Sequence, residues 1–186
     1  MKERGISYRN LVIAIGREFG SGGKEIGQKL ADRLNIKCYD SELLSIAAKN
    51  SGFCEEILQK NDEKPTNSFL YSLVMDTYSL GYTNSAYMDM PINHKIFLAQ
   101  FDTIKNLATK ESCVIIGRCS NYILKDYPNV LRVFIHADWD FRMEKAAEKL
   151  SMSQKEIEKF LQKDDKRKDE YYRRFTGEEW KEATQY

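Results

Sequence analysis

The sequence predicts an α/β fold with a parallel sheet covered on both faces, and three observations point to it. Four short β-rich runs, Leu11 to Ile15, Ile36 to Tyr39, Cys113 to Ile116 and Val130 to Ile135, alternate with stretches of helical period. The first run leads through Arg17 into a glycine-rich pentapeptide, Gly20-Ser-Gly-Gly-Lys24, and then into a helical pattern. The other runs also end in polar residues: Asp40, then Gly117-Arg118, then His136 and Asp138. Ligands of open parallel sheets gather at the carboxyl ends of strands, so four strand ends are expected to meet at one crevice.

The glycine loop carries the sharpest chemical expectation. Residues without a Cβ let main-chain N–H groups converge on an anion at a helix N-terminus. The helix is predicted from Ile26, Leu30, Ala31 and Leu34, which would line one face. Lys24 opens that helix, where a cation opposes the helix dipole unless an anion lies close by. A plain strand-to-helix turn would use the same glycines for tight geometry alone, but the flanking strand, helix and lysine together favour phosphate. Gly20, Ser21, Gly22, Gly23, Lys24 and Glu25 are therefore the candidate residues for a nucleoside triphosphate. The usual spacing has a glycine six residues before the lysine and a Ser or Thr directly after it, and here Glu18 and Glu25 stand at those positions. Glu25 and Ser21 are the candidate Mg2+ ligands, Ser21 as a substitute hydroxyl.

At 186 residues the chain fits one domain of ordinary globular composition. Its 29 basic and 28 acidic side chains nearly cancel, so no overall field draws in nucleic acid or an anionic membrane, and any anion site must be local. No apolar run approaches the roughly 20 residues needed to span a bilayer, and the start lacks a signal-peptide core, so a cytoplasmic location is expected. Cys38, Cys54, Cys113 and Cys119 show no C-x-x-C pairing and read as buried thiols.

About seventy residues separate the second and third runs, too many for one crossover helix. Helices are predicted at Ser41 to Lys49, capped by Asp40 or Ser41, at Phe69 to Tyr78, and at Asn93 to Thr109 after a turn at Pro91. Asn61 to Ser68 reads as a mobile loop, and Tyr71, Tyr78, Tyr82 and Tyr87 as packing residues of an insert that covers a second substrate. Beyond the fourth run, helices are predicted at Asp138 to Leu150 and from Gln154 to about Arg173, the second opened by a capping box of Ser153 and Glu156. Arg142, Arg167, Arg173 and Arg174 fall here. Each alone reads as part of a solvated face, but next to a phosphate cradle arginines suit the charge that phosphoryl transfer spreads over equatorial oxygens. His94 and His136 lack any partner pattern and read as structural.

Several linked motifs then converge on one family. Ile13-Ala-Ile-Gly-Arg-Glu-Phe-Gly-Ser-Gly-Gly-Lys-Glu-Ile26, Tyr39-Asp-Ser-Glu-Leu43, Val114-Ile-Ile-Gly-Arg-Cys119, Val133-Phe-Ile-His-Ala137, Asp164-Asp-Lys-Arg167, Tyr171-Tyr172 and Gly177-Glu-Glu-Trp180 occur in order through most of the chain. The chain resembles the cytidylate-kinase-like proteins, a branch of the P-loop nucleoside monophosphate kinases. The resemblance implies a P-loop NTPase three-layer sandwich, with a core at about 8–40 and 111–150, a helical acceptor-binding insert at about 41–110, and lid and C-terminal helices at about 151–186. It implies transfer of the γ-phosphoryl group of ATP, with Mg2+, to a nucleoside monophosphate such as CMP or dCMP. By the same resemblance Lys24 and the amides of the Walker A-like loop hold the β and γ phosphates. Arg118 grips the acceptor phosphate with Arg17 and Asp40 nearby, and Arg142 and Arg167 are lid arginines. Cys119 stands where established cytidylate kinases carry an aspartate. Two other readings remain open: a nucleotide-binding or sensing module without turnover, and a kinase for another small acceptor. By resemblance to the family's last strand, the natural chain is expected to continue past Tyr186.

Overall fold

The computed structural model describes residues 10–51, 56, 59, 62–63 and 92–186. Strands β1 (Val12–Arg17), β2 (Lys37–Tyr39), β3 (Cys113–Ile116) and β4 (Val130–Ile135) form one sheet in the order β2-β3-β1-β4. Every neighbouring pair is parallel. Parallel neighbours need crossover connections, and the chain supplies them as helices. α1 (Gly23–Leu34) joins β1 to β2, while α2 (Glu42–Ser51) and α3 (Ile92–Lys110) lie between β2 and β3. α4 (Ser120–Ile123) precedes β4, and α5 (Trp139–Lys149) and α6 (Gln154–Thr176) follow it, before a short 3-10 turn at Ala183–Gln185. All four predicted strands are present. β1 runs on through Gly16 and Arg17 because these residues pair with Phe134 and Ile135 of β4. The helix predicted at Phe69 to Tyr78, Cys54, the tyrosine series and most of the Asn61 to Ser68 loop lie outside the described residues.

Alternation along the two central strands divides the core into two layers. Ile13 and Ile15 of β1 and Val114 and Ile116 of β3 pack with Ala31 of α1 on one face. Val12, Cys113 and Ile115 face the other way, into a larger cluster with Phe97 and Ile104 of α3 and Tyr171, Tyr172 and Phe175 of α6. Helices therefore cover both faces, as the fold class requires. Phe97 and Phe175 stack at 4.2 Å between ring centroids with an interplanar angle of 8°, joining α3 to α6.

The inward stripe of α1 differs from the predicted one. Gly23, Gly27 and Ala31 are buried, while Ile26 and Leu34 remain about half exposed. The reason is close approach: a Cβ on Gly27 would lie 2.9 Å from Ile116 Cδ1 and 3.2 Å from Ile15 Cδ1. The helix rides on the sheet through its small residues. By contrast, the capping box of α6 forms as the pattern predicts, with the Glu156 carboxylate accepting the Ser153 N–H at 2.8 Å and its hydroxyl at 2.6 Å. α6 runs past Arg173 to Thr176 and ends at Gly177, whose φ of 73° gives a left-handed C-cap.

Phe97→Ala should lower the unfolding free energy by about 3–5 kcal/mol, read from urea denaturation, because it empties a fully buried ring site between two helices.

Candidate phosphate-binding site

The loop from Glu18 to Gly22 leaves β1 and delivers the chain into the first turn of α1. Gly20 and Gly22 sit at φ 79° and 81°, in the left-handed region that glycine tolerates. A Cβ on Gly20 would lie 2.7 Å from the Arg142 carbonyl oxygen, and one on Gly23 would lie 2.5 Å from Arg17 Cβ. Three contacts pin the loop: the Ser21 hydroxyl donates to Glu18 O at 2.9 Å, Arg142 Nε donates to Phe19 O at 2.8 Å, and Glu18 N–H donates to Ile135 O at 3.1 Å. The helical ladder begins with Ile26 N–H donating to Gly22 O at 2.9 Å. Before that point, the amides of Gly20 to Lys24 make no hydrogen bond to any described residue. Unpaired donors at the positive end of a 12-residue helix are suited to anionic oxygens.

Cations from four elements meet beside this loop, and each is matched by a carboxylate. Lys24 Nζ lies 2.8 Å from Asp40 Oδ2, at the end of β2. Arg118, after β3, is 4 % exposed and grips Asp62 with two donors, Nε to Oδ1 at 3.1 Å and Nη2 to Oδ2 at 2.8 Å, while its Nη1 lies 3.5 Å from Asp40 Oδ1. Arg17 Nη1 donates to Glu63 Oε1 at 3.1 Å and its Nη2 lies 4.0 Å from Asp40. On α6, Arg167 bonds Asp164 at 2.7 Å and the Glu63 carbonyl oxygen at 3.0 Å, and Lys168 lies 2.9 Å from Asp164. The structure thus brings Arg17, Lys24, Asp40, Arg118 and Arg167 of the sequence-derived set into one cluster.

The protonation states follow from these pairings. Burial pushes the Asp40 carboxyl upward, but the hydrogen bond from Lys24 and the charges of Arg118 and Arg17 outweigh it and leave it below the usual range. Burial acts against the Glu63 carboxylate even more strongly, yet Arg17, Lys168, Arg118 and Arg167 together hold it ionised, well below the ordinary value. Asp62 is shifted upward by burial and by the neighbouring Glu63 charge, which Arg118 offsets only in part. Lys168 is lowered by burial and by the like charge of Arg17. The Lys24 ammonium is raised by its hydrogen bond to Asp40 and stays charged.

Backbone geometry adds to the site. Gly117, Arg118 and Cys119 follow one another in the left-handed region, at φ 75°, 53° and 55°. Two consecutive non-glycine residues there cost about 1–3 kcal/mol each, the kind of strain that collects at functional sites. The turn aims the Arg118 N–H at Glu63 Oε1, 3.2 Å away, and brings its guanidinium back over the end of β3. The Cys119 thiol is buried, which pushes it well above its usual value, so it stays protonated.

Arg142 belongs to an adjacent cluster. Its guanidinium bonds both oxygens of Asp165 at 2.9 and 2.8 Å and lies 3.3 Å from Glu18 Oε1, which also receives Lys181. That set clamps the loop between α5 and α6, where the Phe19 ring meets Phe160 edge-on at 5.0 Å. Glu25 points the other way, to Lys149, and its carboxyl is lowered first by that hydrogen bond. Arg173 pairs with Asp169 and Glu179, away from the cluster, and His136 and Asp138 are exposed. A larger groove of about 830 Å³ lies between α5 and α6, but Asp140, Glu144 and Glu158 on its walls disfavour phosphate.

The match to a family model decides the assignment: the model of the cytidylate kinase-like family covers residues 12–186. The chain belongs to the cytidylate kinase-like family. A family of this kind supports a kinase that binds nucleotide. A solved structure of an uncharacterized protein from Eubacterium ventriosum is similar to it, with 33% sequence identity and a TM-score of 0.68, over 96% of this chain and 86% of that one. A comparison with curated proteins finds no match. In this cytidylate kinase-like chain the residues that sequence reasoning missed are Asp62, Glu63, Asp165, Lys168 and Lys181. Asp62 and Glu63 read as turn residues of a loop, and nothing local ties them to Arg118, 55 and 56 positions away.

Two outcomes test this electrostatic arrangement. Glu63, Asp40 and Asp164 are lowered in the fold. Their stabilisation is therefore full above the unfolded carboxylate value of about 4 and is lost as pH falls further, whereas the raised Asp62 acts in the opposite sense. Melting temperature should fall as pH drops below about 4, and less steeply in Glu63→Gln than in the wild type. Arg142→Ala should cost roughly 3 kcal/mol in urea unfolding, since it removes the donor to Phe19 O and leaves Glu18 and Asp165 to Lys181 alone.

Proposed function

We propose that this kinase transfers the γ-phosphoryl group of ATP to a nucleoside monophosphate, with CMP or dCMP as the acceptor. The observation that carries the reading is the row of pinned amides from Gly20 to Lys24 beside a convergent set of cations at the strand ends. In this reading the amides of Gly20, Ser21, Gly22, Gly23, Lys24 and Glu25, with the Lys24 ammonium, hold the β and γ phosphates. Arg118 takes the acceptor phosphate, and Arg17 and Asp40 border it. Arginine forks suit this work because two donors hold two oxygens at once.

The exposures of 34 % for Arg167 and 4 % for Arg142 support different lid roles. Arg167 is the cation that reaches the transferring group, and Arg142 shapes the loop through Phe19 O and Asp165. The two candidate Mg2+ donors are otherwise committed, the Ser21 hydroxyl to Glu18 O and the Glu25 carboxylate to Lys149, so both would have to be released to hold the ion, which would supply further neutralisation of phosphate charge. The protein's own residues contribute positioning, compensating charge and exclusion of water, which keeps a kinase from acting as an ATPase. Localisation in the cytoplasm belongs to the same proposal. Among the described residues no helix is long and apolar enough to cross a membrane.

A second reading, a kinase for another small acceptor or a nucleotide sensor, is favoured by Cys119. Its buried, protonated thiol lacks the carboxylate that reads the acceptor in the enzymes naming the family.

Mg2+-dependent ADP formation measured with CMP, dCMP, UMP, AMP and shikimate separates these readings. CMP or dCMP should raise the rate sharply, and Lys24→Ala or Arg118→Ala should lower it by roughly 10²-fold or more. Equal ADP output with every acceptor would remove the nucleoside monophosphate kinase reading, and a rise with shikimate alone would favour the other acceptor class.

A further inference from the structure

Among the described residues, five cations, Arg17, Lys24, Arg118, Arg167 and Lys168, stand around four carboxylates, Asp40, Asp62, Glu63 and Asp164. Two of those carboxylates come from neither strand ends nor α6. Asp62 and Glu63 reach in from the long connection between β2 and β3 and take the positions facing Arg118 and Arg17. Asp62 presents two oxygens to the Arg118 fork as a phosphate would, and Gln100 Nε2 donates to Asp62 Oδ1 at 3.2 Å. Glu63 accepts from Arg17 Nη1 at 3.1 Å and from the Arg118 N–H at 3.2 Å, and Arg167 Nη2 lies 3.9 Å from its second oxygen.

Several features mark this as a built oxyanion site with a substitute in it. The donors facing Glu63 include a main-chain N–H aimed by the strained turn at Gly117 to Cys119, a geometry that an ordinary surface ion pair does not need. Glu63 itself sits at φ 48°, which side-chain-bearing residues rarely adopt, so its ionic contacts hold it against its own preference. A cavity of about 20 Å³, room for about one water, borders Arg17, Glu63, Arg118 and Lys168. Charge gives the class of ligand. Withdrawing Asp62 and Glu63 leaves five cations against two carboxylates, and a phosphate monoester carrying about two negative charges restores near balance.

We infer that Asp62 and Glu63 are an internal phosphate mimic that competes with a phosphate monoester for Arg118, Arg17 and Arg167. The inference rests on the reading of Arg118 and Arg17 as acceptor-phosphate cations. The competition makes the free enzyme self-neutralised. It also favours dianionic acceptors over uncharged nucleosides or monocarboxylates, which cannot outbid two carboxylates for the same donors. The apparent affinity for phosphate is reduced by the fraction of molecules in which the mimic occupies the site.

Calorimetric titration with inorganic phosphate tests this, on the full chain and on Glu63→Gln, Glu63→Asp and Glu63→Gln combined with Arg118→Ala. Glu63→Gln should bind phosphate about tenfold more tightly than the wild type while melting at a lower temperature without it. Glu63→Asp, which keeps the charge but shortens the reach, should also gain affinity and guards against a Gln variant that does not fold. The gain should vanish when Arg118→Ala is added, which separates this site from the glycine-loop amides. Unchanged or weaker phosphate binding in both folded Glu63 variants would overturn the mimic, as would a gain that survives loss of Arg118. Wild-type ADP formation is measured alongside. If no nucleoside monophosphate accelerates it but the phosphate gain is seen, the kinase reading fails and the mimic stands; acceleration by CMP with no gain leaves the kinase reading and removes the mimic.

Discussion

A guanidinium group almost wholly out of water must be met by negative charge, and Arg118 imposes that demand at the centre of this structure. Its side chain is 4 % exposed, and leaving such a charge uncompensated would cost several kcal/mol. The requirement draws Asp40 from the end of β2 and Asp62 and Glu63 from the long β2 to β3 connection. Arg17 and Lys24 then share those carboxylates with it, so the ends of β1, β2 and β3 and the first turn of α1 become one electrostatic unit. α6 joins through Arg167 and Lys168.

The sheet makes that unit possible. Parallel order places every carboxyl end on the same edge, and two apolar layers anchor β1 and β3 from both faces. α1 lies close because its inward stripe is Gly23, Gly27 and Ala31, and that closeness sets where the N-terminal amides point. The neighbouring clamp of Glu18, Arg142, Asp165 and Lys181 does the same for the far side of the loop. The position of the loop amides is thus set by packing and ion pairs, the kind of support that preorganised electrostatics requires.

How much of this was legible in the sequence depended on the range of the interaction that decides each feature. Strands and the capping box of α6 are local patterns, and Val130–Ile135 and Ser153 with Glu156 stand where periodicity and spacing put them. The glycine loop was legible because tight backbone geometry demands residue types that few other structures use. The stripe of α1 was misread, since large apolar residues dominate a periodicity count whereas close approach selects glycine; Ile26 is half exposed for that reason. Asp62 and Glu63 were invisible because their partners are distant in sequence and their immediate neighbours are turn formers. The burial of Arg142 was equally hidden, as its partners Phe19 and Asp165 lie 123 and 23 positions away.

The central claim is that the main-chain donors from Gly20 to Lys24 receive phosphate oxygens. Amide chemical shifts of isotopically labelled protein, followed during titration with Mg2+ and ATP, test it most directly. The account predicts that the amides of Gly20, Ser21, Gly22, Gly23 and Lys24 move together and saturate at one ATP concentration, with the strand interiors of β1 and β3 nearly still. Saturable binding that leaves those five amides unmoved would contradict it.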